Sequence, residues 1–241
     1  MILAVVGGKG GVGKSTVAYN LAAELDAVVV DADLSMADLP GCALDGGSDA
    51  RRNSDSLAGG WSRGPDLHDV LAGRAAPVEA VRESGPVDIL PCGRSLAGAR
   101  ACDPTALVAA VEAVAREYGG VVVDCPAGLC GDVGLGLLAA DVCVLVTEPT
   151  PAALGDAVRA RALARELDAG LAAIALNRSG PDAPTDLVAE RLGGPVTVVP
   201  DSPRLADAQA AGRPVAAVAP DSEGARALRR LADRVATAVS F

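Results

Sequence analysis

"VVGGKGGVGKST", residues 5–16, carries the strongest structural signal in this chain. Within it, residues 8–15 match the pattern G-x-x-x-x-G-K-[ST], with an apolar run before them and a helix-like pattern after them. Glycines in such a loop let successive backbone N–H groups turn inward around a phosphate, and the following helix adds a positive dipole end. Lys14 can then reach the β- and γ-phosphates, and the Ser15 hydroxyl can bind Mg²⁺. The stretch therefore predicts a phosphate-binding loop.

The same glycines also satisfy a second pattern, G-x-G-x-x-G, through Gly8, Gly10 and Gly13. Asp31 ends the next apolar run, about where a ribose-binding acid lies in a dinucleotide-binding fold. This alternative does not explain the lysine and serine that close the first pattern, nor the acidic end of a later strand. The phosphate-loop interpretation accounts for both, and the dinucleotide fold stays as the alternative.

Short β-branched runs alternate along the chain with longer segments rich in alanine and leucine. The runs are nearly continuous in Val, Ile and Leu, as in strands buried on both faces, and lie at residues 2–6, 27–31, 87–91, 120–126, 142–148, 171–177 and 196–200. Helix-like segments lie at residues 15–25, 104–118, 151–168 and 223–239. The alternation predicts one α/β domain over residues 1–241, with a mostly parallel sheet of seven or eight strands and helices on both faces. Residues 45–64 are polar and aperiodic, and predict a long surface loop around Trp61.

Carboxylates close two of the predicted strands. "VVVDADLSMADL" (28–39) places Asp31 and Asp33 at a strand end, where the period of two puts them on the same side. "VVVDCPAGL" (121–129) ends a second strand with Asp124. Nucleotide hydrolysis needs carboxylates near the metal and the attacking water. These positions beside the glycine-rich loop therefore predict a nucleotide-hydrolysing site.

The net charge of the chain bears on the kind of partner that it can bind. The formal net charge is −10, which argues against a nucleic-acid partner, because phosphate contacts need clustered Lys and Arg. Lys9 and Lys14 are the only lysines among 21 basic residues. This composition, together with the acidity, is typical of a protein from a high-salt cytoplasm.

The six cysteines include no C-x-x-C pair, so the sequence signals neither a zinc site nor a thioredoxin-type motif. Cys125 and Cys130 flank "PAGL" and are the pair to weigh as metal or cluster ligands. The chain starts directly on a strand and has no apolar run of membrane-spanning length. A protein of the reducing cytoplasm is expected.

On these residues the chain resembles the deviant Walker A ATPases of the MinD/ParA family, especially the MinD branch through "DCPAG" and "LHDVLAG". "KGGVGKST", with its additional Lys9, resembles the family's phosphate loop. "VDADLSMADL" resembles its switch I, and "VVVDCPAGL" its switch II and Walker B segment. Segments 146–157, 175–179 and 198–220 resemble later parts of the family pattern. The resemblance covers nearly the whole chain apart from residues 45–64 and implies a single-domain P-loop NTPase.

The resemblance implies a role for each matching residue. Lys14 and the loop amides bind phosphate, while Lys9 reaches across a dimer interface to the other subunit's nucleotide. Asp33 positions the hydrolytic water, Asp124 holds the metal through water, and Asp31 supports the loop and the metal. The implied catalytic residues are Lys9, Lys14 and Asp33, and the implied metal-site residues are Ser15, Asp33 and Asp124. The implied nucleotide-binding residues are Gly8, Lys9, Gly10, Gly11, Val12, Gly13, Lys14, Ser15, Thr16 and, as adenine contacts, Asn177, Pro200 and Asp201.

Taken as a whole, the resemblance implies a Mg²⁺-dependent ATPase switch that dimerises around ATP, hydrolyses it slowly and positions a cellular assembly with an activating or cargo protein. A metal- or cofactor-delivery ATPase and a non-hydrolysing nucleotide-bound scaffold are the alternatives. The segment 231–241 is poor in positive charge, which implies no direct membrane anchor. Asp38 stands where the MinD pattern usually has Asn. His68 is expected to be structural, because phosphoryl transfer needs no imidazole.

Overall fold

The computed structural model describes residues 1–34, 39, 64–83, 85–93 and 95–239. The strands in this part of the chain are β1 (Ile2–Val6), β2 (Val28–Asp31), β3 (Ile89–Leu90), β4 (Val121–Asp124), β5 (Val142–Thr147), β6 (Gly170–Asn177) and β7 (Val196–Val199). The helices are α1 (Lys14–Leu25), α2 (Leu67–Leu71), α3 (Leu96–Ala101), α4 (Leu107–Tyr118), α5 (Gly131–Ala139), α6 (Pro151–Glu166), α7 (Thr185–Leu192), α8 (Pro203–Ala210), α9 (Val215–Val218) and α10 (Glu223–Ala238). Asp38, Trp61 and residues 45–63 of the loop predicted at 45–64 lie outside the described residues.

The strands form one seven-stranded sheet in the order β3-β2-β4-β1-β5-β6-β7, and every pair of neighbours is parallel. Because parallel strands all end at the same edge of a sheet, the carboxyl ends of β1, β2 and β4 meet beside one another. The register places Asp124 next to both Val5 and Asp31. The prediction of an α/β domain with a mostly parallel sheet is confirmed.

Side-chain alternation along the strands divides the core into two halves. In β1, Leu3 and Val5 pack with α1 and α10, whereas Ala4 and Val6 pack on the opposite face with α4 and α6. A strand covered on both faces needs an apolar residue at every position, and the Val, Ile and Leu runs supply them. The predicted helices on both faces are confirmed.

Most predicted elements have bounds in the structure that differ by one to three residues, and two of these differences are informative. The strand predicted at 87–91 is reduced to Ile89–Leu90, which lies at the edge of the described sheet. There it pairs with β2 on one side, and Ile89 forms an isolated antiparallel bridge with Arg82. The helix predicted at 104–118 begins as a 3₁₀ turn, Pro104–Ala106, before the regular helix. Asp103 caps that turn through the Thr105 N–H at 3.0 Å, and a proline at the first position is tolerated because its missing N–H would have no partner there.

Helix α5 has no helix-like signature in the sequence, since it holds glycines at its first, fourth and sixth positions. Glycine in a helix interior is unfavourable by about 1 kcal/mol relative to alanine. Tertiary packing overrides this preference, because Val133 and Leu137 are buried in the core. A β-carbon on Gly136 would lie only 2.6 Å from the Sγ atom of Cys125. Among the helices described, none combines the length and apolar character needed to cross a bilayer.

Candidate functional site

The glycine-rich loop runs from the end of β1 to the start of α1. Gly13 caps α1 in the left-handed conformation, with φ of 93°, which glycine adopts without steric cost. A β-carbon on Gly13 would overlap the side-chain amide of Asn177, and one on Gly8 would overlap the backbone of Asp156. The loop therefore lies close against β6 and α6, and both positions require glycine.

Asp31 and Asp124 end β2 and β4 at paired positions and are 1% and 4% exposed. Burial, together with the negative charge of Asp124, raises the pKa of Asp31 well above its usual range. Oδ1 of Asp31 accepts a hydrogen bond from the Asp33 N–H at 3.3 Å. Its Oδ2 is buried and has no hydrogen-bond partner within the described ranges. A buried carboxylate oxygen left in this way beside a second carboxylate suits a site built around a cation.

Lys14 begins α1 and is largely buried, with 7% of its surface exposed. Its Nζ donates to the carbonyl of Lys9 at 3.4 Å. Burial lowers the pKa of Lys14, and the negative charges of Asp124 and Asp33 act in the opposite direction. The ammonium group thus contacts the loop and interacts with the strand-end carboxylates, a position from which it can meet a phosphate in the loop.

One cavity of about 530 Å³ brings most of the predicted site residues together. It is lined by Gly10, Gly11, Gly13, Lys14, Ser15, Thr16, Asp31, Asp33, Asp124, Cys125, Pro126, Ala127, Arg178 and Gln209. The lining includes all the predicted metal-site residues and most of the loop. A cavity in this size range is typical of small-molecule and cofactor sites.

The remaining predicted residues do not line the cavity: Gly8, Lys9, Val12, Asn177, Pro200 and Asp201. The side chain of Lys9 is exposed, whereas Val12 is buried. Asn177 is 5% exposed and donates its Nδ2 to the carbonyl of Val12 at 2.8 Å. Pro200 and Asp201 directly follow the β6–β7 pair of Asn177 and Val199. Contact of these three residues with adenine stays a prediction.

Besides Cys125, which was weighed only as a metal or cluster ligand, four residues that line the cavity were missed by the sequence analysis: Pro126, Ala127, Arg178 and Gln209. Two of these make polar side-chain contacts around the loop. Arg178 donates from Nη1 to the carbonyl of Gly11 and to the carboxylate of Glu148, both at 2.7 Å. The side-chain oxygen of Gln209 accepts a hydrogen bond from the Thr16 hydroxyl. Arg178 directly follows a predicted site residue in "ALNRS", which is a signal that could have identified it. Gln209 lies in α8, inside the segment 198–220 that resembles the family pattern, but it does not adjoin a predicted site residue.

His68 and two of the cysteines have surroundings that bear on their predicted roles. The buried Nε2 of His68 lies 3.1 Å from the carbonyl oxygen of Leu34 and 3.4 Å from the Sγ atom of Cys92. These contacts agree with the expected structural role. Cys125 is 2% exposed, and burial raises the pKa of its thiol, whereas Cys130 is exposed at the start of α5. The two cysteines that flank "PAGL" thus lie in different surroundings.

The residues that line the cavity fit a magnesium–nucleotide complex. Mg²⁺ is usually held by one or two carboxylates together with phosphate oxygens and waters, without a full cage of protein ligands. In keeping with this, the part of the chain that the structure describes holds no group of three or more His, Cys, Asp or Glu arranged for a metal ion. Glycine amides and the amino end of α1 suit the anionic phosphates. The arrangement can bind a polyphosphate and orient a water molecule beside it.

Comparison with known proteins gives the same result for the family. The chain matches the protein family described as the CobQ/CobB/MinD/ParA nucleotide binding domain, and the match covers residues 3–215. An uncharacterised ATP-binding protein of Methanocaldococcus jannaschii is 30% identical over an alignment of 245 positions, which spans 97% of this chain and 86% of that protein.

Solved structures extend the likeness over nearly the whole chain. The cell division ATPase MinD of Pyrococcus furiosus is 28% identical, with a TM-score of 0.82 and coverage of 98% of both chains. The septum site-determining protein MinD of Pyrococcus horikoshii, solved with Mg-ADP, is 29% identical with a TM-score of 0.82, over 99% of this chain and 96% of the other. Sequence and fold therefore agree on the resemblance that the motifs indicated.

Proposed function

The chain belongs to the CobQ/CobB/MinD/ParA family of nucleotide-binding domains, and on that premise we propose that it is a Mg²⁺-dependent ATPase switch that dimerises around ATP and positions a cellular assembly. The observation that carries the proposal is the cavity in which the phosphate loop, the start of α1 and three carboxylates converge. Phosphoryl transfer depends on positioning and on electrostatic stabilisation, and these groups supply both. The Mg-ADP complex of MinD from Pyrococcus horikoshii supports the choice of nucleotide and metal.

Binding is assigned to the loop and the first turn of α1. The amides from Gly10 to Ser15 and the amino end of the helix receive the phosphates, and Lys14 neutralises part of their charge. The Ser15 hydroxyl and, through water, Asp124 would hold Mg²⁺. The bound magnesium–nucleotide complex supplies the phosphoryl group and a cation that neutralises charge as it develops. Asp31 supports this arrangement through its hydrogen bond to the Asp33 backbone.

Hydrolysis is assigned to Asp33. This carboxylate is half-buried, lines the cavity and follows β2 by two positions, so it can accept a hydrogen bond from a water molecule beside the phosphates. A positioned carboxylate that orients the attacking water raises the rate without covalent chemistry. We expect slow turnover in the isolated protein, because the exposed Lys9 does not line its own cavity.

Dimerisation is assigned to the exposed side chain of Lys9 in the phosphate loop. Lys9 contributes its backbone carbonyl to Lys14, while its exposed side chain is available to a second copy of the chain. A cation supplied in this way by another subunit can stabilise charge on a transferring phosphoryl group. ATP would then join two copies and hydrolysis would release them, under the control of an activating or cargo protein. The likeness to the cell division ATPase MinD of Pyrococcus furiosus supports a spatial role.

The experiment measures phosphate release and oligomeric state together, with and without MgATP. The wild-type protein should release phosphate slowly and form a dimer only with MgATP. Asp33→Ala should keep ATP binding, accumulate the dimer and lose phosphate release. Asp186→Ala, which removes an exposed carboxylate from the first turn of α7, is the matched control and should behave as wild type. Absence of MgATP binding in the wild-type protein would refute the proposal. Wild-type turnover in Asp33→Ala would remove Asp33 from its assigned role.

A further inference from the structure

Arg178 directly follows β6, and its guanidinium contacts the phosphate loop. One nitrogen, Nη1, donates to the carbonyl of Gly11 and to the carboxylate of Glu148, each at 2.7 Å. We propose that Arg178 is a positioning residue that fixes the phosphate loop before nucleotide arrives, and that Glu148 holds Arg178 in place for this task. This inference rests on the proposed function, because it concerns the same nucleotide site.

The geometry of the peptide bond explains how these contacts would act on phosphate binding. In a trans peptide, the carbonyl of one residue and the N–H of the next point in opposite directions. Arg178 holds the carbonyl of Gly11 toward the end of β6, so the N–H of Val12 is turned away from that strand. Asn177 holds the carbonyl of Val12 in the same way at 2.8 Å, which turns the N–H of Gly13. Asn177, the last residue of β6, and Arg178, which follows it, thus fix the orientation of two consecutive peptide planes of the loop.

The loop needs such an external contact at Gly11. Gly10 and Gly11 are exposed, and a β-carbon on Gly11 would meet no atom within 4 Å. Gly11 also has a φ of 80°, in the region that favours glycine. An exposed glycine peptide has many accessible conformations, and a ligand that must order it binds more weakly. A charge-assisted hydrogen bond from Arg178 removes part of that cost in advance.

The backbone of Arg178 is itself held in an uncommon conformation, with φ of 51°. The next residue, Ser179, anchors the turn, since its N–H donates to Val199 at 3.2 Å and its hydroxyl donates to the Asn177 carbonyl at 3.0 Å. The side chain of Arg178 is 52% exposed and that of Glu148 is 18% exposed, and an ion pair with one partner half in solvent contributes only modestly to stability. Arg178 is thus held in the left-handed backbone conformation by the hydrogen bonds of the buried Ser179. This is more consistent with a role in the nucleotide site than with a role in folding.

The first test needs no nucleotide and measures amide hydrogen exchange of the free protein by mass spectrometry. In Arg178→Ala, exchange in a peptide that spans residues 8–14 should become about three- to ten-fold faster, as expected for the loss of one hydrogen bond. Peptides from α4 should be unchanged. The matched control is Arg116→Ala, which breaks an exposed arginine–glutamate pair with Glu112 on α4 and leaves the loop untouched.

The second test measures affinity for MgADP by calorimetry and steady-state turnover of MgATP. Arg178→Ala should weaken MgADP binding by about three- to ten-fold and should raise the KM for ATP by more than it lowers kcat. Glu148→Gln should act in the same direction with a smaller effect. The double variant should be weakened by less than the product of the single effects, because both changes act through one contact. Arg178→Lys, which keeps a charged donor, should recover part of the affinity.

The outcomes separate this inference from the proposed function. Faster hydrogen exchange of the loop in nucleotide-free Arg178→Ala, together with weaker MgADP binding, supports the positioning role of Arg178. Unchanged exchange with weaker binding would make Arg178 a direct nucleotide contact and would overturn the positioning role. Unchanged binding would also overturn it. A wild-type protein that binds no MgADP would refute the proposed function, while the exchange experiment would still decide whether Arg178 fixes the loop.

Discussion

Asp31 and Asp124 stand side by side at the carboxyl ends of two adjacent parallel strands, in register with one another. The charge of Asp124 adds to burial in raising the pKa of Asp31. Lys14, itself buried, interacts with the charge of Asp124 from the start of α1. The site therefore holds carboxylates and one ammonium group in largely buried positions. Substitutions that change a charge there should measurably change the stability of the protein or its affinity for nucleotide.

Asp31→Asn should stabilise the protein in the absence of magnesium and nucleotide. The change removes one of two neighbouring buried charges, while the amide oxygen can still accept the Asp33 N–H. At neutral pH we expect the Tm to rise by about 2–4 °C, the shift that roughly 1 kcal/mol produces in a domain of this size. Differential scanning calorimetry measures it, with Asp33→Asn as the half-buried control that should give a smaller gain. A lower Tm in Asp31→Asn would contradict the expected repulsion.

Lys14→Ala should weaken ATP binding by about ten- to a hundred-fold, because it deletes a charge-assisted contact of about 1.5–3 kcal/mol to the phosphates. Isothermal titration calorimetry with MgATP is the measurement. Lys9→Ala is the control, since Lys9 lies outside the cavity lining, and its affinity in the monomer should stay within a few fold. Equal affinity for MgATP in Lys14→Ala and wild type would refute the assignment of the glycine-rich loop as the phosphate-binding loop.

Lys9→Ala should weaken the ATP-bound dimer and slow hydrolysis. Its exposed side chain is proposed to act on the nucleotide of a second copy, and loss of such a cation can lower the rate by about 10³-fold or more. Light scattering with ATP, in an Asp33→Ala background that blocks turnover, measures the dimer. If the double variant dimerises as fully as Asp33→Ala alone, and Lys9→Ala hydrolyses ATP normally, Lys9 does not act across a dimer.

Cys125 and Cys130 should differ strongly in reactivity toward iodoacetamide. Cys130 is exposed, whereas Cys125 is 2% exposed and burial raises the pKa of its thiol. Because the thiolate is the reactive form, the native protein at neutral pH should be alkylated at Cys130 well before Cys125. Peptide mass spectrometry gives both rates, and urea should make them similar. Early labelling of Cys125 in the native protein would contradict its buried placement.

The stability of the protein should rise with salt. The chain has 31 acidic residues against 21 basic ones, and folding brings these like charges together. Salt screens exposed charges beyond about 10 Å at 0.1 M. A potassium chloride series of melting temperatures measures the effect. A flat or falling trend would remove the high-salt interpretation and would leave the ATPase proposal untouched.

Much of the site could be predicted from the sequence, because its residues lie in short segments whose local pattern fixes their backbone conformation. Gly13 must adopt a positive φ at the helix start, and Lys14 and Ser15 follow it directly, so the loop motif fixes their placement. Asp31 and Asp124 end strands of continuous apolar residues, and the parallel sheet then brings them to one edge. The resemblance to the family added Lys9 and the adenine contacts, which the local pattern alone did not indicate.

Helix α5 and the contacts between distant parts of the chain could not be predicted in this way. The glycines of α5 disfavour a helix locally, and only the burial of Val133 and Leu137 explains why one forms. The Thr16 hydroxyl meets Gln209 at a separation of 193 residues. Such contacts follow from how helices pack on the sheet, which no local pattern encodes.

The phosphate loop, the parallel α/β architecture and the strand-end carboxylates could be predicted from the sequence, because each depends on residue type and spacing within a short segment. The groups that hold the loop in place became apparent from the three-dimensional structure alone. Arg178 contacts Gly11 across 167 residues, and Asn177 contacts Val12 across 165. The order β1-β5-β6 puts the end of β6 two strands from the loop, and a left-handed turn at Arg178 brings its guanidinium onto Gly11. These contacts are set by sheet order and by one backbone angle, and neither is a property of a local stretch of sequence.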